Sequence, residues 1–260
     1  MKKYLTVLFT ALLALLTFPA APAPAAQKSA VPRIEPQAAL GAYMGLVEEH
    51  FASILRTTRA LAQTKEAQSG KWESVKPALM SFSRDLPTDA TVWYAMPDGS
   101  YCSTESGGLT DQNLKDRAYF PRLLAAQDVE GDLVISKSTG HRSVIVASPV
   151  TREDRVVAVI GVSVRVHLLS DLVSAHMKLP DNTYFYALDK NAKIVLHRYA
   201  DRLFKNVDDV ADESLGEEFR VVMDKEEGVF DYKLKGRKMN SIFQKSVPLG
   251  WYFFIAQEKK

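Results

Sequence analysis

The sequence predicts an α+β protein: a long N-terminal helix followed by two tandem modules built on antiparallel sheets. Three observations predict it. Apolar residues recur at helical spacing over residues 37–66. The period then changes to two, with β-branched runs separated by Gly, Pro, Asn and Asp turns. Finally, one order of elements occurs twice, over residues 89–178 and again over 179–258: a hairpin, a polar or helical section, then antiparallel strands. No shorter internal repeat, of the roughly 20–50 residues that mark a solenoid, is evident.

The first 25 residues stand outside this scheme. Lys2 and Lys3 precede an apolar run over residues 4–18, then Pro19 and an Ala/Pro stretch. A charged start, an apolar centre and small residues at Ala23-Pro24-Ala25 form a signal peptide, with cleavage expected before Ala26. An uncleaved membrane anchor is the alternative, although the run is shorter than the usual span of about 20 residues. Residues 26–36 read as a linker. Of 33 Lys and Arg residues, cleavage removes two and no acid, leaving 31 against 31 Asp and Glu. A chain without basic excess is a poor partner for nucleic acid. Cys102 is the single cysteine, so an internal disulfide is excluded, and no cysteine near the cleavage zone could carry a lipid.

The helical section covers residues 37–88. Leu40, Met44, Val47, Phe51, Ile54, Leu55, Leu61 and Ala62 make one stripe, with Thr58 as its polar member. His50, beside Glu48 and Glu49, reads as solvated. Ser69-Gly70 breaks the run. A second helix presents Trp72, Val75, Leu79 and Phe82, ends before Pro87, and is expected to kink at Pro77. Strands are expected at 91–95 and 100–103 around the turn Met96-Pro97-Asp98-Gly99. A polar loop (103–113) and a short helix (121–127) follow, then strands at 133–137, 142–150 and 156–166, and a helix at 168–177. Leu179-Pro180-Asp181-Asn182 marks a boundary. Beyond it, strands are expected at 183–188 and 193–197, a helix-leaning section to residue 225, and strands at 228–234, 238–246 and 251–257.

The chemistry is sparse. Asp116-Arg117-Ala118-Tyr119-Phe120-Pro121 combines a five-donor cation with two aromatic faces. Two readings stand: one wall of a small-ligand pocket, or a surface arginine paired with Asp116 beside two core aromatics. The five histidines share no metal-ligand spacing, and no phosphate loop or nucleophile elbow appears. Asp208, Asp209, Asp212 and Glu213 read as a solvated acidic face, with calcium as the alternative. Neither a metal nor a cofactor is expected. An enzyme built on Cys102 and a nearby histidine is the least supported of the function classes.

Several segments resemble one family. Asp116-Arg117-Ala118-Tyr119-Phe120 resembles a D-R-x-Y-F segment, and Ser136-Lys137-Ser138-Thr139-Gly140 an S-x-S-T-G turn. Residues 146–150 and 159–169, Leu188-Asp189-Lys190-Asn191-Ala192-Lys193-Ile194-Val195, and Leu249-Gly250-Trp251-Tyr252 follow in the same order. Together they resemble the double Cache extracellular sensors, two PAS-like modules behind a long helix. The resemblance covers residues 37–257.

It implies that the membrane-distal module (89–178) binds a small metabolite, with Arg117 and Tyr119 facing it. The family's amino-acid-binding branch carries a Tyr four residues before the Arg, a Trp and a Tyr after it, and an Asp at a strand end. Those positions read Asn113, Tyr119, Phe120 and Ser163 here. The acid that would clamp an ammonium group is missing, so an organic acid is the expected ligand. Further donors are expected from Ser136, Ser138, Ser148 and Ser163, and from Lys137 if it turns inward. The resemblance also implies a periplasmic or secreted protein, or one held at the inner membrane by its N-terminal segment. No output domain stands in the sequence before Lys260, so a separate membrane receptor or kinase is the expected partner, and a homodimer through the long helix is a further expectation.

Overall fold

The computed structural model describes residues 35–211 and 213–259. The signal peptide, most of the linker and Asp212 lie outside the described residues. The described residues form one compact unit.

Helix α1 (Pro36–Ala62) opens on a proline, where the missing N–H costs no intrahelical bond. The predicted stripe is buried except at Met44 and Leu61, which are half-buried, and Tyr43 joins it. Thr58 satisfies its hydroxyl within the helix, donating to Ile54 O at 2.8 Å. His50 is a correction: it is buried (8% exposed), edge-on to Phe51, and burial lowers its pKa. Its two acidic neighbours in sequence face other directions because residues one and two apart do not share a helix face. The single run expected to residue 66 is broken earlier. A new turn, α2 (Lys65–Gln68), starts where the Thr64 hydroxyl accepts from Ala67 N. Helix α3 (Trp72–Asp85) continues through Pro77 and buries Trp72, Val75, Leu79 and Phe82.

The first sheet has the order β3-β2-β1-β6-β5-β4. Its strands are β1 (Ala90–Ala95), β2 (Ser100–Ser103), β3 (Leu109–Asn113), β4 (Val129–Ile135), β5 (Arg142–Arg152) and β6 (Arg155–Arg165). All its pairings are antiparallel. Strand β3 falls inside the expected polar loop, and α4 (Phe120–Leu124) interrupts the run between β3 and β4. Helix α5 (Val166–Met177) leads on to the second sheet, order β8-β7-β11-β10-β9. That sheet comprises β7 (Thr183–Leu188), β8 (Ile194–His197), β9 (Glu227–Leu234), β10 (Arg237–Lys245) and β11 (Tyr252–Glu258). A 3-10 turn (Ala200–Arg202), α6 (Val207–Val210) and α7 (Glu213–Val222) fill the interval between β8 and β9.

Each sheet has an inner and an outer apolar face. Strand alternation sends Val144, Val146, Ile160, Val162 and Val164 inward, into the cluster that holds α1, α3 and α5. The second sheet sends Phe185, Ala187, Phe253 and Ile255 into that same cluster. Helix α1 joins the two: Tyr43 meets Phe185 and Phe253 edge-on at 5.2 and 5.0 Å, and Phe51 meets Trp251 at 5.6 Å. A second junction lies at the bulge of β4. Gly131 has φ +90, and a Cβ built there would stand 3.3 Å from Leu249 O in the β10–β11 turn. The outer faces hold separate clusters, one around Trp93, Tyr119 and Phe120, the other around Tyr186, Phe219 and Phe254.

Candidate functional site

The outer face of the first sheet carries a cleft with room for about 20 Å³. Its floor comes from β1 and β6. Trp93 lies opposite Gly161 in the register, and its indole fills the space a side chain at 161 would need: a Cβ there would stand 2.0 Å from the ring. This seats Trp93 Nε1 3.1 Å from Ser163 Oγ, to which it donates. Thr91, two residues before Trp93, faces the same cleft by alternation.

One wall comes from the segment between β3 and α4. Two successive turns, Arg117 N to Leu114 O and Phe120 N to Arg117 O, both 2.9 Å, bend the chain across the sheet. Phe120 and Leu123 anchor it in the outer core. Just before these anchors Arg117 points into the cleft. Its Nη2 donates to Ile135 O at 2.6 Å, while its buried Nε has no protein partner. Tyr119, 3% exposed, stands beside it. Burial pushes the Tyr119 phenol up against a smaller opposing effect of Arg117, so it stays a hydrogen-bond donor.

The facing wall is the turn after β4. Ser136 and Ser138 both line the cleft, with their hydroxyls 3.3 Å apart. Lys137 also lines it, its Nζ donating to Asn113 O at 2.8 Å and to the Asp116 carboxylate. Asp116 therefore pairs with Lys137 and not with Arg117, and that hydrogen bond lowers the Asp116 pKa.

Five of the six predicted ligand contacts, Arg117, Tyr119, Ser136, Ser138 and Ser163, come together here. Ser148 does not. It occupies an even-numbered position of β5 between Val146 and Val150, the residues that face inward to the helices, and it is 4% exposed. One residue of strand phase puts it on the wrong side of the sheet. Sequence reading missed Thr91, Trp93 and Tyr101. Period-two spacing groups the first two, but it does not say which face of a strand is a cleft. Among the described residues that line the cleft none is acidic, while two, Arg117 and Lys137, are cationic.

Other candidates look different in three dimensions. Cys102 is half-buried, and burial followed by Glu73 raises its pKa, which keeps the thiol protonated and a weak nucleophile. Asp208 pairs with Arg220, and the Asp209 carboxylate accepts from Asn206 N at 3.0 Å to close a capping box. No grouping of three or more His, Cys, Asp or Glu with metal-binding geometry occurs among the described residues.

Two antiparallel sheets behind one long helix, with a small cleft on the outer face of the first, make the architecture of a tandem two-sheet α+β sensor-type domain. The chain belongs to the Cache domain family: the double Cache model matches residues 28–260. Cache domains are sensor modules that bind small ligands. A search of curated protein sequences returns no match. Among solved structures, the ligand-binding domain of the Pseudomonas aeruginosa PAO1 amino acid chemoreceptor PctB, in complex with L-Arg, superposes with a TM-score of 0.65 at 17% identity, covering 84% of this chain and 91% of that one. The sensory domain of the Campylobacter jejuni chemoreceptor Tlp3 with isoleucine bound gives 0.64 at 18% identity, covering 86% and 91%. The ligand-binding domain of the Pseudomonas fluorescens chemoreceptor CtaA in complex with L-isoleucine gives 0.66 at 14% identity, covering 84% and 88%. Among the described residues no helix is long and apolar enough to cross a membrane.

Proposed function

We propose that this chain is a periplasmic or secreted sensory binding module, exported by a cleaved leader, whose first-sheet cleft takes a small carboxylate that has no ammonium group. The observation that carries this reading is the lining of the cleft: two cations and several hydroxyls, with no described acid among them. A carboxylate suits the Arg117 fork and needs only donors around it. An α-ammonium group would be buried without a counter-charge, which costs several kcal/mol. Ser163 stands at the strand position where the amino-acid-binding branch has its acid, and its hydroxyl is engaged by Trp93. The unpartnered Arg117 Nε, together with Nη2, offers the ligand a bidentate edge once the bond to Ile135 O gives way. The cleft as it stands admits little more than one water, so binding moves the turn at residues 136–140 outward.

A thermal-shift and calorimetry panel tests this: acetate, lactate and succinate against amino acids and primary amines. A carboxylate should raise the melting temperature of the wild type. Arg117→Ala should lose that binding, by about 2–5 kcal/mol, with its circular dichroism unchanged. Equal stabilisation of mutant and wild type would show that the ligand sits elsewhere, and a preference for amino acids would overturn the anion reading. The mature N-terminus should be Ala26.

A further inference from the structure

The second sheet repeats the arrangement of the first. In both, the segment that follows the opening hairpin crosses the outer face and brings an arginine to it: Arg117 just before α4, Arg202 just before α6. The cavity under the second crossing holds about 40 Å³, twice the first. Its body is apolar, formed by Leu188, Ile194, Val207 and Phe219. Its polar end is formed by His197, Arg202 and Tyr232, and no described carboxylate lines it.

The donors at that end converge. The Tyr199 backbone N–H donates to His197 Nδ1 at 2.8 Å. An amide N–H can only donate, so Nδ1 presents a lone pair and the neutral ring carries its hydrogen on Nε2. That hydrogen faces Arg202 Nη1, also a donor, 3.2 Å away. Two donors directed at each other are satisfied by an oxygen that accepts from both. The Arg202 guanidinium rests over the Tyr199 ring at 5.3 Å, and no described carboxylate forms an ion pair with it. His197 is 4% exposed, and burial and the Arg202 charge hold its pKa near 3, so among the described residues that line this end Arg202 alone is a cation at neutral pH.

We propose that this cavity is a second ligand site, which takes a short aliphatic monocarboxylate with its carboxylate on Arg202 and His197 and its alkyl tail against Phe219 and Val207. The cavity as it stands holds about three water-sized atoms, so a carboxylate of two to four carbons enters with some outward movement of the α6–α7 segment. This site differs from the first cleft, where hydroxyls and two cations stand among Leu114, Val134 and Ile145, and it does not depend on the reading given to that cleft.

Sodium butyrate is the probe, with matched sodium chloride, 1-butanol and n-butylamine as controls. At ten times the Kd measured by calorimetry, butyrate should raise the melting temperature of the wild type and of Arg117→Ala by about 3–5 °C. Arg202→Gln should lose the shift, and so should Val210→Phe, which fills the cavity but keeps the guanidinium. Neither butanol nor butylamine should produce it. Absence of a butyrate shift in the wild type overturns the proposal. So does a shift that survives in Val210→Phe, or one lost in Arg117→Ala yet kept in Arg202→Gln, which would place butyrate in the first cleft. If Arg202→Gln fails to fold by circular dichroism, Val210→Phe decides alone.

Discussion

Trp93 and Gly161 hold each other in place, and the first cleft depends on that fit. A methyl at residue 161 would stand 2.0 Å from the indole, and the indole is stiff, so the ring must move and release Ser163. Gly161→Ala should therefore cost about 1–3 kcal/mol of stability by overpacking and should also weaken ligand binding at the cleft. Denaturant midpoints and tryptophan fluorescence measure the first effect, and calorimetry the second. His197 makes a different kind of prediction. Its pKa is 6.5 in an unfolded chain and about 3 when folded. Between those values the unfolded state takes up a proton that the folded state refuses, so stability falls as pH falls below about 6.5. The slope from this one group approaches 1.4 kcal/mol per pH unit. His197→Gln should remove about one proton's worth of slope between pH 6 and pH 4 in urea titrations. At this scale the sequence was only partly legible. The Arg117 segment could be picked out because its residue types are unusual together. Ser148 could not be placed, because a strand buried on both faces looks the same in sequence from either side.

Among the elements, α1 has the largest role. Tyr43 packs between two phenylalanines of the second sheet, yet its hydroxyl is buried without a protein partner, and burial raises its pKa strongly. Tyr43→Phe keeps the ring and removes the unsatisfied oxygen, so it should raise stability by about 1 kcal/mol. Chemical denaturation of the two proteins side by side checks this, and a loss of stability would mean that the hydroxyl has a partner. The helical stripe and the β-branched strands were legible because their periods are strong. Strand β3 was hidden because Leu109-Thr110-Asp111-Gln112-Asn113 is polar and lies at a sheet edge with no buried position. Strand β4 begins four residues earlier than expected because a bulge at Gly131 carries the ladder through a stretch that reads as a break. Pro77 lies inside α3, which runs as one helix from Trp72 to Asp85.

For the whole molecule, the duplicated order of elements could be read from sequence, but the shared core could not. Periodicity shows that a strand has an apolar face; it does not show that the inner faces of two sheets meet the same helix. Since α1 contributes to one cluster with both sheets, unfolding should be a single transition. Calorimetry should give one peak, and fluorescence from Trp93 in the first sheet and Trp251 just before β11 should share a midpoint. Two separated transitions would show that each sheet carries a core of its own. The junction at Gly131 has a mechanical consequence. The strand that ends in the Ser136–Lys137–Ser138 wall passes Leu249 at its bulge, so closely that a Cβ on residue 131 would stand 3.3 Å from Leu249 O. If the proposed ligand swings that wall aside, the strand pivots near this close approach, and the displacement is felt first by the loop that feeds β11, the strand against which Tyr43 is wedged.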